Sequence, residues 1–446
     1  MDCSTSLPNE LVAQIVEQIV PRLVEQADLN AVSLEECTRQ IVHAIGKEIL
    51  QAALGSLVER YPQKAIPCVC GGHARYHFRR EGVLLTIYGR IRYRRTYYSC
   101  PHCHRGQYPL DRRLGLRPGQ VSVTLGSLLG MLGSQTSFED AARQAERLLL
   151  VDVSGNTVRK VTQHYGELQE QREAQWQKQS QDTEELNART RSVTHAPGRL
   201  YGSLDGVIVP VDGQWGELKV GCWYEARAKT SNHPGREPPV CRAEKISYYC
   251  TLGDVEELKP LVWACGYQRK ADRAREVIFI ADGAAWIWKL VQYHFPDAIQ
   301  IVDWYHAVAY LTPIAQAIEI QNAEEAQAWL EATREQLWQG AVPQVIAACQ
   351  LHTETPHARE AVHKAITYYR NNALRMDYAR WRAAGYLIGS GVVESACKQI
   401  GTQRLKRAGA RWSREGAHLT AKARAAWLSH DWDHITSLDL QLAQAA

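Results

Sequence analysis

The stretch from Leu200 to Val211 constrains this chain most. Tyr201, Leu204, Val207, Ile208, Val209 and Val211 make an apolar, β-branched run with Asp205 in its middle, and a carboxylate in such a strand is costly unless something offsets its charge. Two later stretches, Val277 to Asp282 and Ile299 to Asp303, are short apolar strands that each deliver an Asp at the carboxyl end. Strand carboxyl ends are where open α/β sheets build their sites. A fourth acid, Glu394, follows Gly389-Ser390-Gly391-Val392-Val393 and opens a predicted helix. Together these acids point to a divalent-metal site. Two Mg²⁺ ions about 3.5 to 4 Å apart can activate an attacking oxygen and stabilise a leaving one in phosphoryl transfer. Asp205 is expected to bridge, with Asp282 as second and Glu394 as third ligand. Taken singly, Asp282 with Gly283 also fits a plain turn, and Asp303 before Trp304-Tyr305-His306 fits a helix cap.

Charge distribution says more than total charge. The chain of 446 residues is formally only +4, but between Cys68 and Arg117 eleven arginines face only Glu81 and Asp111. Between Lys398 and Arg424 eight bases face only Glu415. Two basic islands in a near-balanced chain suggest two contacts with a polyanion. No charged-then-apolar leader and no apolar run of about 18 residues occurs, so no membrane contact is expected and a cytoplasmic protein is. Of the twelve cysteines only four cluster, which in a reducing compartment favours metal over disulfides.

In chain order, Leu7 to Tyr61 carries apolar residues at three- and four-residue spacing, predicting helices with a Ser33-Leu34-Glu35-Glu36 capping box. Packing against the fold and self-association are both open for them. Next, Cys68 and Cys70, then a hairpin, then Cys100 and Cys103 supply the four thiolates of a tetrahedral structural Zn²⁺ site. The first pair is one residue short of ribbon spacing, and His73, His77, His102 and His104 stand close enough to replace a ligand. Arg90, Arg92 and Arg94 alternate on one face of the hairpin, suited to a phosphate backbone. A helix from Ser137 to Leu149, a Gly-containing turn and a helix from Thr157 have the helix-turn-helix outline. Arg159, Lys160, Gln163 and His164 would then face DNA, with Val158, Val161 and Tyr165 inward; an ordinary helical hairpin fits the pattern as well. Glu167 to Arg191 reads as an exposed helix or linker, and Asn232 to Pro239 as a turn-rich loop. After Glu394, Arg404, Lys406, Arg407 and Arg411 read as a continuing basic helix along the DNA path, where Trp412 could stack on an unpaired base.

Four strings now carry a resemblance: Leu204-Asp205-Gly206; Ile280-Ala281-Asp282-Gly283-Ala284 with Trp286; Val302-Asp303-Trp304-Tyr305-His306-Ala307; and Gly389 to Ser395. They resemble those of DDE transposases with a ribonuclease-H-like fold, and within that group the ISKra family of bacterial insertion-sequence transposases, related to Mutator-like enzymes. Tyr97-Tyr98-Ser99-Cys100 and Tyr108-Pro109-Leu110-Asp111 match the family style. The resemblance implies an α/β catalytic core, a mixed sheet with helices on both faces, interrupted by an all-helical insertion. It implies Asp205, Asp282 and Glu394 as catalytic triad with two Mg²⁺ (or Mn²⁺) ions per site, and double-stranded DNA, as terminal inverted repeats and target, as partner. A homodimer or higher oligomer associated with the bacterial nucleoid follows from the need to hold two element ends. Related enzymes often carry Cys-x-x-His after the fifth strand, where this chain has Asp303-x-x-His306. Asp303 is therefore a rival for the second metal position, although the resemblance favours Asp282 because the family's second Asp follows the fourth strand, and His306 is an outer residue orienting the site, a DNA contact or a core histidine.

The expected domains are 1–64 (helical), 65–117 (zinc hairpin), 118–195 (helix-turn-helix and linker), 196–310 (first part of the core), 311–385 (helical insertion), 386–430 (final core helices) and 431–446 (a polar tail). Two other functions are carried as alternatives: a DNA-binding regulator or domesticated derivative without catalysis, against which the three intact acids count, and a host nuclease of the same fold, which has no obvious need for two DNA-binding modules.

Overall fold

The computed structural model describes residues 9–26, 30–58, 63–117, 119–182, 184, 196–228 and 241–445. The loop expected at Asn232 to Pro239 lies outside them. The chain forms two compact units, one from 1–161 with 436–446 and one from 162–435.

In the first unit, α1 (Asn9–Gln26) and α2 (Ala31–Val58) are the expected amphipathic helices. The cap of α2 is Asn30, whose side chain accepts the Ser33 N–H at 3.0 Å, so the helix begins before the predicted Ser33 box. Leu50, Leu54 and Leu57 pack with Leu84, Ile91 and Tyr93, whereas Ile15, Val16, Val20 and Val24 of α1 stay exposed. Strands β1 (Ala65–Pro67), β2 (His73–Thr86), β3 (Gly89–Ser99) and β4 (Gly106–Gln107) form an antiparallel sheet in that order. Helices α3 (Pro109–Leu114), α4 (Val123–Gln135), α5 (Phe138–Leu149) and α6 (Gly155–Gln179) follow. Ser122 and Ser137 cap α4 and α5, and Leu125, Leu129, Ala141, Ala145 and Val158 make a small core between them.

The C-terminal stretch corrects the expected tail, because Trp432–Ala445 is a helix. Asp439 and Ala443, four apart, are buried, and Asp439 accepts from Arg117 at 2.7 Å. Its interspersed polar residues hid a packed face.

In the second unit, β5 (Arg199–Val211), β6 (Gln214–Ala228) and β7 (Cys241–Thr251) form an antiparallel meander. Then come α7 (Val255–Gln268), β8 (Glu276–Ala281), α8 (Ala285–His294) and β9 (Ile299–Val302). β8 and β9 run parallel to β5, giving a mixed sheet of order β7-β6-β5-β8-β9. Helices α9 (Trp304–Ala309), α10 (Thr312–Glu319), α11 (Ala323–Trp338), α12 (Val342–Gln350), α13 (Arg359–Asn372) and α14 (Tyr378–Ala383) fill the long interval before Glu394. They share one apolar cluster with the sheet and with α7 and α8: Leu204, Trp223 and Phe279 belong to it together with Ile314, Val362 and Tyr369. Finally α15 (Gly391–Ala396), a π-helix (Cys397–Thr402), α16 (Gln403–Leu405) and α17 (Arg414–Leu428) return to the sheet. Ala396, Ile400, Ala417 and Ala421 cluster with Val209, Val220 and Leu252, a second core formed by the sheet and these helices.

Two further expectations are corrected. The first part of the Glu167 to Arg191 segment is the expected helix but not an exposed one. It continues α6, and Leu168, Gln169 and Glu173 are buried. Glu173 pairs with the equally buried Lys422 of α17, and Glu170 accepts from His418 Nε2 at 2.6 Å. The basic helix from Arg404 to Arg411 does not form, since α16 stops at Leu405 and a loop runs to Ser413, the cap of α17.

Candidate active site and metal centre

Strand order places three of the acids on, or directly after, neighbouring strands. Gly202 pairs with Phe279 across the parallel β5 and β8, and Ala281 pairs with Val302 across β8 and β9. The β5–β8 ladder ends three residues before Asp205 and Asp282, so register does not pair these two, whereas the β8–β9 ladder reaches the residues just before Asp282 and Asp303, and the Asp303 N–H bonds the Ala281 carbonyl at 2.8 Å. The charge of Asp282 acts on both Asp205 and His306.

The surroundings of each Asp differ. Burial raises the Asp205 carboxyl above its ordinary range; the charge of Asp282 adds to the rise, against the Gly206 N–H, the Cys397 thiol and His306, which lower it. Asp282 is half-buried, and its Oδ1 accepts the Ala284 N–H at 2.9 Å. Its carbonyl accepts from the Tyr368 hydroxyl of α13 at 2.7 Å.

Asp303 is fully buried and both of its oxygens are engaged. Oδ1 accepts the His306 N–H at 2.7 Å, capping α9, and lies 3.3 Å from His306 Nδ1. Oδ2 accepts the Ser390 N–H. Burial would raise its pKa, but these bonds from His306 and Ser390 hold it below the ordinary carboxylate value. Asp303 thus fastens the start of the Glu394 helix to the end of β9.

Glu394 follows from that clamp. Ser390 Oγ donates to Glu394 Oε1 at 3.2 Å, and His306 Nδ1 lies 3.8 Å from the same oxygen. The Asp303 bond raises the His306 pKa, burial opposes it, and the charges of Asp303, Asp282 and Glu394 add to the rise. Ligand atoms of Asp303, His306 and Glu394 lie within 4.8 Å of one another. That tight group therefore contains the rival Asp303 and not Asp205 or Asp282, although His306 feels the charge of Asp282 and acts on Asp205.

The segment 391–405 reaches β5 at two points. Cys397, three residues after Glu394, bonds Asp205, and Gly401, within the π-helical turn, meets Val207. Asp205 and Val207, two apart on a strand, share a face. Sequence reasoning missed Cys397, Ser390 and Tyr368. The i, i+3 spacing from Glu394 was a usable signal for Cys397; Tyr368 left none.

In the first unit the four cysteines converge as expected. Cys68 Sγ lies 3.6 Å from Cys103 Sγ, and Cys70 Sγ lies 3.7 Å from Cys100 Sγ. Sulfurs held about 2.3 Å from a tetrahedral ion are roughly 3.8 Å apart, so the set fits a metal ion and the thiols are too far apart for disulfides. Two knuckles build it: Gly71 N–H bonds Cys68 O at 3.0 Å, and His104 N–H bonds Cys100 O at 2.9 Å. The Cys103 N–H, with that of His102 and neighbouring thiols, holds the Cys100 thiol down at about 6 against burial. At Cys103 the Arg105 N–H acts downward, but burial and the three surrounding thiols push it up to about 12. None of His73, His77, His102 and His104 joins the group.

Arg90, Arg92 and Arg94 are exposed on β3, alternating as predicted, and Arg92 lies 3.6 Å from Glu81. On α6, Lys160 is exposed and Arg159 half-buried and bonded to Asn156 Oδ1 at 2.8 Å, while Val158 and Tyr165 are buried. Lys406, Arg407 and Arg411 are exposed on the loop, but Arg404 is buried, its guanidinium 5.0 Å from the Trp412 ring centre. Trp412 Nε1 donates to Leu405 O at 3.0 Å, a tie that leaves its ring committed to the fold. Among the described residues no helix is long and apolar enough to cross a membrane.

Residues 26–193 match the model of an uncharacterised protein family (UPF0236). No curated protein matches the chain. The matched region holds the cysteine cluster and the α4–α6 helices but ends before β5, so none of the four acids falls within it.

Proposed function

We propose that this chain is a DDE transposase of the ISKra kind, with a ribonuclease-H-like core, that binds the terminal inverted repeats of an insertion sequence, cuts its ends and joins them to target DNA. One observation carries the reading: Asp205 on β5 feels the charge of Asp282, which follows the neighbouring parallel strand β8, and the segment that follows Glu394 reaches β5 where Cys397 bonds Asp205 and Gly401 meets Val207. The meander followed by two parallel strands supports the fold assignment.

The chain's own residues suit a cation. Asp205 is a carboxylate whose pKa is raised partly by a neighbouring carboxylate, a repulsion that a divalent ion relieves. Asp205, Asp282 and Glu394 offer the hard oxygens such an ion takes. Asp303 accepts an N–H on each of its oxygens, from His306 and Ser390, whereas Asp282 accepts the Ala284 N–H on one, which favours Asp282 as second ligand, with Asp303 and His306 orienting Glu394. Bound Mg²⁺ or Mn²⁺, two per site, supplies Lewis-acid activation of the attacking oxygen and stabilisation of the leaving one. Water attacks the phosphorus at the element end and the P–O3′ bond breaks, leaving a 3′ hydroxyl. That hydroxyl then attacks a target phosphodiester, whose own P–O3′ bond breaks as the new one forms.

Zn²⁺ on Cys68, Cys70, Cys100 and Cys103 is assigned a folding role. Double-stranded DNA is assigned to Arg90, Arg92 and Arg94, to Arg159 and Lys160, and to Lys406, Arg407 and Arg411, with assembly as a dimer or larger.

The test uses the full chain and a duplex carrying an element end from the DNA flanking the reading frame. Asp205→Asn, Asp282→Asn and Glu394→Gln should each lower Mg²⁺-dependent cleavage by about 10²-fold or more, with duplex binding retained. Unchanged cleavage by Asp205→Asn sinks the assignment, and footprinting without any cleavage by the unmodified chain makes it a regulator instead.

A further inference from the structure

A groove of about 1010 Å³ opens between α8 and α13, beginning at Gly283, the residue after Asp282. Its walls carry Lys289, Lys364, Arg375 and His363 and no carboxylate. Lys289, His363 and Lys364 are exposed. Lys364 has Glu360 one turn away at 2.6 Å, with both side chains largely in solvent, where such a pair is worth little. Arg375 is fixed, its Nε donating to Gln300 at 2.7 Å and its guanidinium 4.8 Å from the Trp288 ring centre. Aromatic surface lies at the inner end, where Tyr310 stacks on Tyr368 with centroids 3.8 Å apart and planes at 14°.

The inner end is joined to the candidate active site. Tyr368 bonds the Asp282 carbonyl, and Gly283, at φ +99°, lies so close that a β-carbon would come within 2.8 Å of the Tyr368 ring. A cationic channel with aromatic faces is the pattern that holds unpaired nucleic acid, with phosphates on the bases' charges and nucleobases against the rings. The volume lies at the top of the range of about 300 to 1,000 Å³ for small-ligand pockets, enough for a few nucleotides of one strand and too little to enclose a duplex.

We propose that this groove takes the unpaired DNA strand leading away from the cleavage point, with Lys289, Lys364 and Arg375 on its phosphates. The proposal rests on the transposase reading for its biological setting, yet strand binding is measurable apart from catalysis. The experiment is fluorescence anisotropy of a twelve-nucleotide oligo-dT, and of a duplex of equal length, on the full chain carrying Asp205→Asn, across a salt series. Adding Lys289→Ala and Lys364→Ala should weaken oligo-dT binding and flatten the log–log salt slope by about 1.4, near 0.7 for each lost phosphate contact. The duplex should be affected much less, and Lys289→Arg with Lys364→Arg should keep the full slope. An unchanged single-strand slope in the alanine variant, no oligo-dT binding by the parent, or equal losses on both DNAs overturns the proposal. Normal cleavage by the Asp205→Asn parent would instead remove the transposase reading and leave the groove standing.

Discussion

Gly401 lies so close to Val207 that a β-carbon on it would come within 2.4 Å of Val207 Cγ1. The segment that follows Glu394 therefore rests on the strand carrying Asp205 with only the Val207 side chain between. Gly401→Ala gains about 1 kcal/mol of helix propensity, but the overpacking it forces costs about 1 to 3 kcal/mol and should dominate. We expect a lower thermal midpoint, partly recovered when Val207→Ala makes room. A stabilised single variant would mean that the contact is looser than described.

The Glu173–Lys422 pair of α6 and α17 is buried on both sides. Lys422→Ala strands a carboxylate without its partner and should cost about 3 to 5 kcal/mol in denaturant unfolding, whereas replacing both with Leu and Met should be near neutral. Equal losses in the single and double variants would show that packing volume, not charge, matters there.

Glu170 gives the second unit a pH dependence. Its hydrogen bond from His418 holds its pKa below the ordinary glutamate value, against burial. His418 Nδ1 accepts the Leu252 N–H at 3.2 Å, so Nε2 carries the donated proton. A folded pKa below the unfolded one means that stability is full above the ordinary glutamate range and falls away as pH drops through the lowered value. Glu170→Gln should therefore flatten the loss of stability on acidification below about pH 4.5, read from urea midpoints between pH 3 and 6. An unchanged acid limb would deny the bond its role.

Zinc should be found at about one tightly held ion per chain, and its removal by a chelator should unfold the β2–β3 hairpin. Cys100→Ser with Cys103→Ser should abolish retention. Full zinc in that variant would require different ligands.

Sequence reading reached the features that are local. Asp205, Asp282 and Asp303 stood out because each interrupts or ends a short apolar run between punctuating residues, and those runs are the strands β5, β8 and β9. Paired cysteines around a hairpin announced the metal cluster for the same reason. What stayed hidden was settled by partners far along the chain. Glu173 looked solvated because Lys422 is 249 residues away, and the buried face of the C-terminal helix needed Arg117, 322 residues earlier, to complete it. Arg404 read as one more surface base, although the chain folds Trp412 back over it after a break at Gly409, φ +75°. Asp303 could be read as cap or ligand, and nothing local announced its bond from the Ser390 N–H, which arrives from 87 residues on.

That same clamp has a consequence for how such a chain can change. Trp304 N–H bonds Ile388 O at 2.9 Å beside the Asp303–Ser390 bond, so the helices from α9 to α14 leave the sheet and return to it at one point. A segment whose two ends already touch can be lengthened, shortened or exchanged at small entropic cost, since closing the loop is done by the junction and not by its contents. Through Tyr368 the segment also grips the Asp282 turn, so an exchanged segment would fold onto the same junction yet hand the neighbouring carboxylate a different support. The helical region beyond His306 can thereby change length at its surface, while the residues that touch the sheet and the Asp282 turn tune the site.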